Sequence, residues 1–312
     1  MRIAVIGAGP AGLTCARELA ASGLSPVVLD KGRSAGGRMA TRRIEGFQFD
    51  YGAQFLRART ETGRAWLDEA RACGRAAPWP AAAEGDFTPL VGVPAMRQLC
   101  TALAEGLDVR QRAEVLAVRR DGAGWQVETA EQSLAVDRVV LTAPAPQAAR
   151  VLAEAEPDLA ARLAQVGFAP CYALMAAFEH APGWPETMRA PGGAFDLIVR
   201  DSARPGRDAA AECWVAHASE RWSRENLETD RTDAAAQLLA ALDDLAGPLP
   251  PVRVARAHRW RYSQATRPLG APFAANGDGT LLSGGDWALG REVEDAVRSG
   301  HAMAQALRAA PS

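Results

Sequence analysis

The stretch Ile3-Ala4-Val5-Ile6-Gly7-Ala8-Gly9-Pro10-Ala11-Gly12, with Pro26-Val27-Val28-Leu29-Asp30 after it, decides the fold. Four apolar residues read as a buried strand, Leu13–Ser22 as a helix that Gly23 ends, and Pro26–Leu29 as a second strand stopping at Asp30. Between strand and helix stands Gly-x-Gly-x-x-Gly, the turn of a dinucleotide-binding β-α-β unit. Gly7 permits the tight turn, Gly9 lets the backbone approach a pyrophosphate, and Gly12 lets the helix lie close to the sheet. The helix N-terminus after the glycine turn, beside Pro10 and Ala11, offers free amides and partial positive charge to phosphate. Asp30, eighteen residues past Gly12, stands where a carboxylate binds a ribose diol.

Outward from this unit, Lys31-Gly32-Arg33-Ser34-Ala35-Gly36-Gly37-Arg38 follows the ribose-binding acid. Gly36 and Gly37 admit backbone next to a phosphate and Arg38 can neutralise it with a forked contact, which points to FAD over NAD. At the far end, strand 280–283 leads to Gly284-Gly285-Asp286 and a helix from Glu292. There Asp286 can bond a sugar-alcohol hydroxyl, and the helix start near Val293 can face the electron-rich edge of a flavin. Segment 34–55 reads as irregular. Between the ends the pattern predicts a helix over 95–105 and strands over 108–111, 114–120, 125–129 and 138–142. Residues 147–276 alternate helices (147–165, 230–246) with strands (171–179, 194–200, 212–218, 252–262) and read as a second lobe.

Composition narrows the function. The chain has 312 residues, net charge −2 and 48% hydrophobic residues, which describes a globular protein and argues against a nucleic-acid binder. Its five cysteines (Cys15, Cys73, Cys100, Cys171, Cys213) are scattered without a Cys-x-x-Cys pair, so neither a disulfide framework nor a metal site is expected. No secretion signal and no stretch of ~20 apolar residues stands out, and the expectation is a soluble, cytoplasmic protein without membrane contact. Of 35 basic residues only Lys31 is lysine, so an active-site lysine has one candidate.

The glycine turn, Asp30, Gly36-Gly37-Arg38, Asp50-Tyr51-Gly52-Ala53-Gln54 and Gly285-Asp286, in this order, resemble the flavin amine oxidase superfamily. Segments 143–147, 204–208, 214–218, 222–227, 257–260 and 285–287 narrow the likeness to bacterial renalase-like proteins over nearly the whole chain. The resemblance implies an α/β fold of p-hydroxybenzoate hydroxylase/amine oxidase-like architecture. In it a Rossmann-type FAD-binding domain (1–57, 92–146, 277–312) is interleaved with a mixed α+β substrate domain (58–91, 147–276). It further implies non-covalent FAD held by Gly7, Gly9, Pro10, Ala11, Gly12, Asp30, Lys31, Gly36, Gly37, Arg38, Tyr51, Gly52, Ala53, Gln54, Val115, Gly285, Asp286, Glu292 and Val293. The implied activity is oxidation of 2- or 6-dihydro isomers of NAD(P)H by hydride transfer to flavin N5, with O2 reoxidation giving hydrogen peroxide.

The residues test part of this. Covalent relatives use a cysteine in the C-terminal FAD segment, and none follows Cys213; many amine-oxidising relatives hold a water with a substrate-lobe lysine, and Lys31 lies at the ribose instead. Period two puts Val252, Val254, Arg256, His258, Trp260 and Tyr262 on one strand face, so His258, Trp260 and Tyr262 are candidates for stacking on a nicotinamide-sized ring. Trp287, next to Asp286, is a further catalytic candidate, and His217, Trp214 and Trp222 are weaker ones. Hydride abstraction from a dihydropyridine needs orientation more than acid–base help. The alternatives are a flavin amine oxidase or desaturase, and a protein that binds FAD without turnover.

Overall fold

The computed structural model describes residues 1–309, with Pro191 described by its backbone alone; residues 310–312, the end of the predicted third FAD segment, lie outside the described residues. In chain order the first elements are β1 (Ile3–Ile6), α1 (Pro10–Ala21), β2 (Val27–Asp30), β3 (Thr41–Ile44), β4 (Phe47–Asp50) and α2 (Glu61–Ala72). Then come β5 (Ala76–Pro78), β6 (Leu90–Gly92), α3 (Arg97–Ala104), β7 (Asp108–Gln111), β8 (Val115–Asp121), β9 (Gly124–Thr129), β10 (Ser133–Val136) and β11 (Arg138–Leu141). The middle holds α4 (Ala145–Leu152), α5 (Pro157–Leu163), β12 (Gly167–Phe178), β13 (Thr187–Gly192), β14 (Phe195–Arg200), β15 (Glu212–Ala218), α6 (Glu220–Glu225) and α7 (Arg231–Ala246). The chain closes with β16 (Val252–Arg267), β17 (Ala274–Ala275), β18 (Leu281–Ser283), α8 (Asp286–Leu289) and α9 (Val293–Ala309).

Two sheets organise these elements. The first runs β17-β18-β11-β1-β2-β7, with β1 parallel to both β2 and β11 and β11 parallel to β18. Its central strand is buried along its whole length, as a parallel strand covered on both faces requires. Both chain ends therefore build this layer, and α9 lies directly on α1: a Cβ on Gly300 would sit 2.2 Å from the Ala11 carbonyl oxygen. The second sheet is antiparallel, β13-β14-β15-β12-β16. One of its faces, with Tyr172, Leu174, Trp214 and Ala257, packs on α7. Met175, Val199, Val215 and Val254 on the other face join the core that runs beneath the first lobe.

The structure corrects several sequence expectations. Segment 34–55 is irregular only towards its ends: within it β3 and β4 form a hairpin closed by Glu45-Gly46, both with positive φ (51° and 87°), the mirror-image turn that suits strand twist. No Asn-Gly or Asp-Gly pair announced it. Helix α1 begins at Pro10, three residues earlier than expected, because proline's fixed φ suits the first helical position. The predicted helix 147–165 is two helices, and they pack with the nucleotide-binding layer: Leu152, Leu159 and Leu163 share a cluster with Ile6, Val139 and Trp125. The first sheet's outer strands leave that apolar surface to be covered, so the second lobe starts near β12 rather than at residue 147.

Candidate cofactor and substrate site

At the nucleotide end the geometry is set by backbone. A Cβ on Gly12 would lie 2.0 Å from the Gly7 carbonyl oxygen, and one on Gly7 would lie 2.5 Å from Thr142 Oγ1. On Gly9, by contrast, a Cβ would meet nothing within 4 Å, so open space stands above the turn at the α1 N-terminus. The amides of Ala11 and Gly12 in that first turn have no partner inside the helix. The second glycine loop closes on the same place: the Gly36 amide donates to the Ala8 carbonyl (2.9 Å), and a Cβ on Gly37 would reach Gly9 Cα at 3.3 Å. Asp30 ties both loops, accepting from the Ala8 amide (2.6 Å) and the Gly32 amide (2.6 Å). One open lane flanked by unpaired amides and a half-buried carboxylate is the cradle that an extended dinucleotide such as FAD fits. Val115 lines the same end in the core with Leu29, whereas Lys31 is exposed and its Nζ reaches Gln147 (3.4 Å).

The two chain ends meet through side chains. Arg38 donates to Asp286 Oδ1 (2.5 Å) and to the carbonyl of Ser263 (3.0 Å), joining the second glycine loop, the C-terminal turn and β16. Asp286 sits at the start of α8, just after Gly285. Beyond it Glu292 and Val293 are half-buried at the start of α9, whose first turn is capped by Asp295 accepting from the Arg291 and Glu292 amides (both 3.1 Å). Its neighbour Glu294 turns away and accepts from the Arg59 and Thr60 amides (2.7 and 2.6 Å), anchoring the start of α2.

On the candidate substrate side, β16 brings His258 and Trp260 together, as period two predicts, and Tyr51, expected at the cofactor, packs against both. Tyr51 stacks on Trp260 (centroids 5.2 Å apart, planes at 18°) and meets His258 edge-on at 4.8 Å. Trp260 Nε1 donates to the Tyr51 carbonyl (2.9 Å). Burial lowers the His258 pKa to about 4, with help from Arg231 and Arg42, so the ring is neutral at pH 7. Burial likewise raises the Tyr51 phenol, opposed by the same two arginines.

Three expectations fail here. The Trp287 indole is fully buried, bonded to the Ala143 carbonyl (3.1 Å) and packed in the core under the first sheet, so it cannot touch a substrate. Tyr262 leaves the cluster, because β16 carries extra residues opposite Ala169–Cys171. Its ring packs on Phe168 (5.6 Å) and its carbonyl accepts from Arg38. Trp214 and Trp222 belong to the opposite, α7-covered side, where Trp222 packs on Tyr172. His217, ranked low by sequence, is brought to the site: it lies 3.4 Å from Gln54 Nε2, and burial lowers its pKa to about 4.

Sequence reasoning missed the group beneath this wall. Asp50, Asp201, Arg204 and Arg207 form a buried cluster of ion pairs. Asp50 accepts from Thr41 Oγ1, Arg207 and the Met96 amide (3.1 Å); Asp201 accepts from Arg204 Nε (2.7 Å) and the Asp50 amide (3.2 Å). Burial pushes the Asp201 carboxyl up to about 6 against the pull of Arg204. Asp50 and segment 204–208 both carry the family resemblance, but nothing local in the sequence linked them as one ion cluster.

Comparison with known proteins agrees with this geometry. The NAD(P)-binding Rossmann-like domain matches residues 5–70, and the flavin containing amine oxidoreductase family matches residues 79–308. A putrescine oxidase variant superposes with a TM-score of 0.79 at 16% identity, covering 99% of this chain and 100% of that one. Cyclohexylamine oxidase from Brevibacterium oxydans gives 0.74 at 13% identity over 98% and 99%. Among curated proteins, a 4,4'-diapophytoene desaturase of Staphylococcus haemolyticus is 46% identical over 52 residues, which is 17% of this chain and 10% of that protein. That segment is a tenth of the desaturase and carries no argument about its activity. With the glycine cradle, the Arg38–Asp286 junction and a family match over most of its length, the chain belongs to the flavin-containing amine oxidoreductase family, with FAD as its cofactor.

Proposed function

We propose that this protein is a renalase-like oxidase of 2- or 6-dihydro isomers of NAD(P)H. One isomer, O2 and a proton give NAD(P)+ and hydrogen peroxide, which repairs a misreduced cofactor. The observation that carries the reading is the wall of Tyr51, Trp260 and neutral His258, with Arg42 and Arg231 close enough to act on its titration. FAD, when bound, supplies the hydride acceptor at N5 and the route for the electrons to O2.

The wall offers a flat ring the faces and edges it needs for orientation, and orientation is what hydride loss from a dihydropyridine demands. No base is needed, because the product is an aromatic cation, and both nearby histidines are held neutral. Arg42 and Arg231 form no ion pair among the described residues; they attract an anionic dinucleotide and repel a protonated amine. The lysine-free second lobe agrees, since Lys31 sits on the nucleotide side. No cysteine follows Cys213 in the C-terminal FAD segment, which suits non-covalent FAD.

Amine oxidation is the second reading, favoured by the family match and by the two amine oxidases that share the fold. Anaerobic mixing of the holoprotein with 2- and 6-dihydro-NAD(P), ordinary NADH and a panel of amines decides, with bleaching of the visible flavin band as the signal. Fast bleaching by the isomers alone is expected. Bleaching by amines alone overturns the proposal, and no bleaching by any of them favours FAD binding without turnover.

A further inference from the structure

We propose that Arg204 is a positioning residue for the flavin: from the second lobe it fixes the loop Asp50–Gln54, through which that lobe bears on the cofactor.

The loop divides its hydrogen bonds between the lobes. Two of its amides go to the cofactor lobe, Tyr51 N–H to the Ala40 carbonyl (3.3 Å) and Ala53 N–H to the Arg38 carbonyl (2.8 Å), while the Asp50 N–H goes to Asp201 (3.2 Å). Its acceptors are taken from the other side. Trp260 Nε1 holds the Tyr51 carbonyl (2.9 Å), and Arg204 Nη1 holds the Gln54 carbonyl (2.8 Å). Arg204 Nη2 also donates to Gln54 Oε1, which orients the side-chain amide so that Nε2 donates back to the carbonyls of Asp50 (2.6 Å) and Gly52 (2.9 Å). The fork of one guanidinium thereby determines the loop's internal hydrogen bonds.

Arg204 itself is held rigidly. It is fully buried, its Nε donates to Asp201 (2.7 Å), and its guanidinium lies 4.7 Å over the Trp79 ring. The loop has no slack on the cofactor side either, since a Cβ on Gly52 would lie 1.8 Å from the Arg38 carbonyl oxygen. A shift of Gln54 therefore passes to Gly52 and to Arg38, whose side chain pairs with Asp286 at the C-terminal turn. Five residues from three distant parts of the chain form one chain of contacts between a buried ion pair and the flavin cradle.

An ordinary structural ion pair and a positioning residue differ in what a lysine does. Arg204→Lys keeps a cation for Asp201 but cannot bond both Gln54 oxygens. With full-length protein stripped of FAD and titrated with FAD, Arg204→Lys is expected to weaken binding about tenfold and to shift the visible flavin band and its midpoint potential. The unfolding midpoint of its FAD-free form should stay close to wild type. Unchanged affinity and spectrum, or affinity lost only in step with stability, overturns the proposal. If Arg204→Lys does not fold, Gln54→Met removes the shared acceptor and leaves the Arg204–Asp201 pair in place; the same loss of affinity and the same band shift are expected, and an unchanged Kd and spectrum overturn it. Where both variants fold, the double variant should lose less than the sum of the two single losses, because the bond to the Gln54 side chain is counted in both; fully additive losses overturn the coupling.

Discussion

The two ends of the cofactor cleft are built from different materials. At the nucleotide end, main chain meets main chain: Gly12 against Gly7, Gly37 against Gly9, and amides aimed at a lane that Gly9 leaves open. At the ring end, side chains do the positioning, through an aromatic wall on β16 and a buried cluster of two aspartates and two arginines. Backbone recognition tolerates one residue type at each point, so substitutions there act by collision. Side-chain recognition spreads over many partners, so substitutions act by leaving one of them unsatisfied.

The largest expected effects test the first half of that contrast. Gly12→Ala drives a methyl into the Gly7 carbonyl and should lower both the stability of the FAD-free protein and its FAD affinity, the latter roughly 100-fold. Gly9→Ala meets no protein atom, so its unfolding midpoint should be unchanged while FAD titration still shows weakened binding. Equal behaviour of the two variants breaks the comparison. On the other side, Arg207→Met leaves Asp50 and Asp201 short of a buried cation and should cost about 3–5 kcal/mol in urea unfolding.

The histidines provide a test by pH. His217 and His258 have folded pKa values of about 4 against an ordinary 6.5, so the unfolded chain binds more protons between these values. Their contribution is present above pH 6.5 and is lost as pH falls towards 4. Asp201, raised from 3.8 to about 6, acts in the opposite sense over nearly the same window, so two histidines against one carboxyl leave stability rising with pH. Urea midpoints at pH 4.5 and 7 measure the slope, and His258→Asn should flatten it.

Smaller effects belong to the entrance and to the core. Arg42→Gln with Arg231→Gln should raise KM for a dihydro-dinucleotide about fivefold and flatten its dependence on salt, with kcat unchanged. Trp287→Phe should cost stability but leave kcat/KM within about twofold, because its indole reaches only the Ala143 carbonyl and the core. A large kinetic loss there would return Trp287 to the site.

The same contrast accounts for what could be read from the chain. Gly7, Gly9 and Gly12 announce the first lobe because nothing else fits between strand and helix, and period two on β16 correctly grouped His258 with Trp260. It failed one step on, at Tyr262, because the extra residues of β16 opposite β12 are invisible in an alternating pattern. Trp287 misled by adjacency: Asp286 opens α8, and the next side chain on a helix points to a different side, here the core. Asp50 meets Arg207 across more than half the chain, a pairing that carries no local signature.

Helix α9 resting on α1 at Gly300, with β18 beside β11, has a consequence for biosynthesis. The glycine turn is made well before Asp286, the partner of Arg38, and before α9, the helix that backs α1. A nascent chain displays an unfinished cradle until α9 has emerged, so FAD capture waits for that helix. FAD-free protein in which α9 is already docked on α1 should therefore take up FAD within one mixing step.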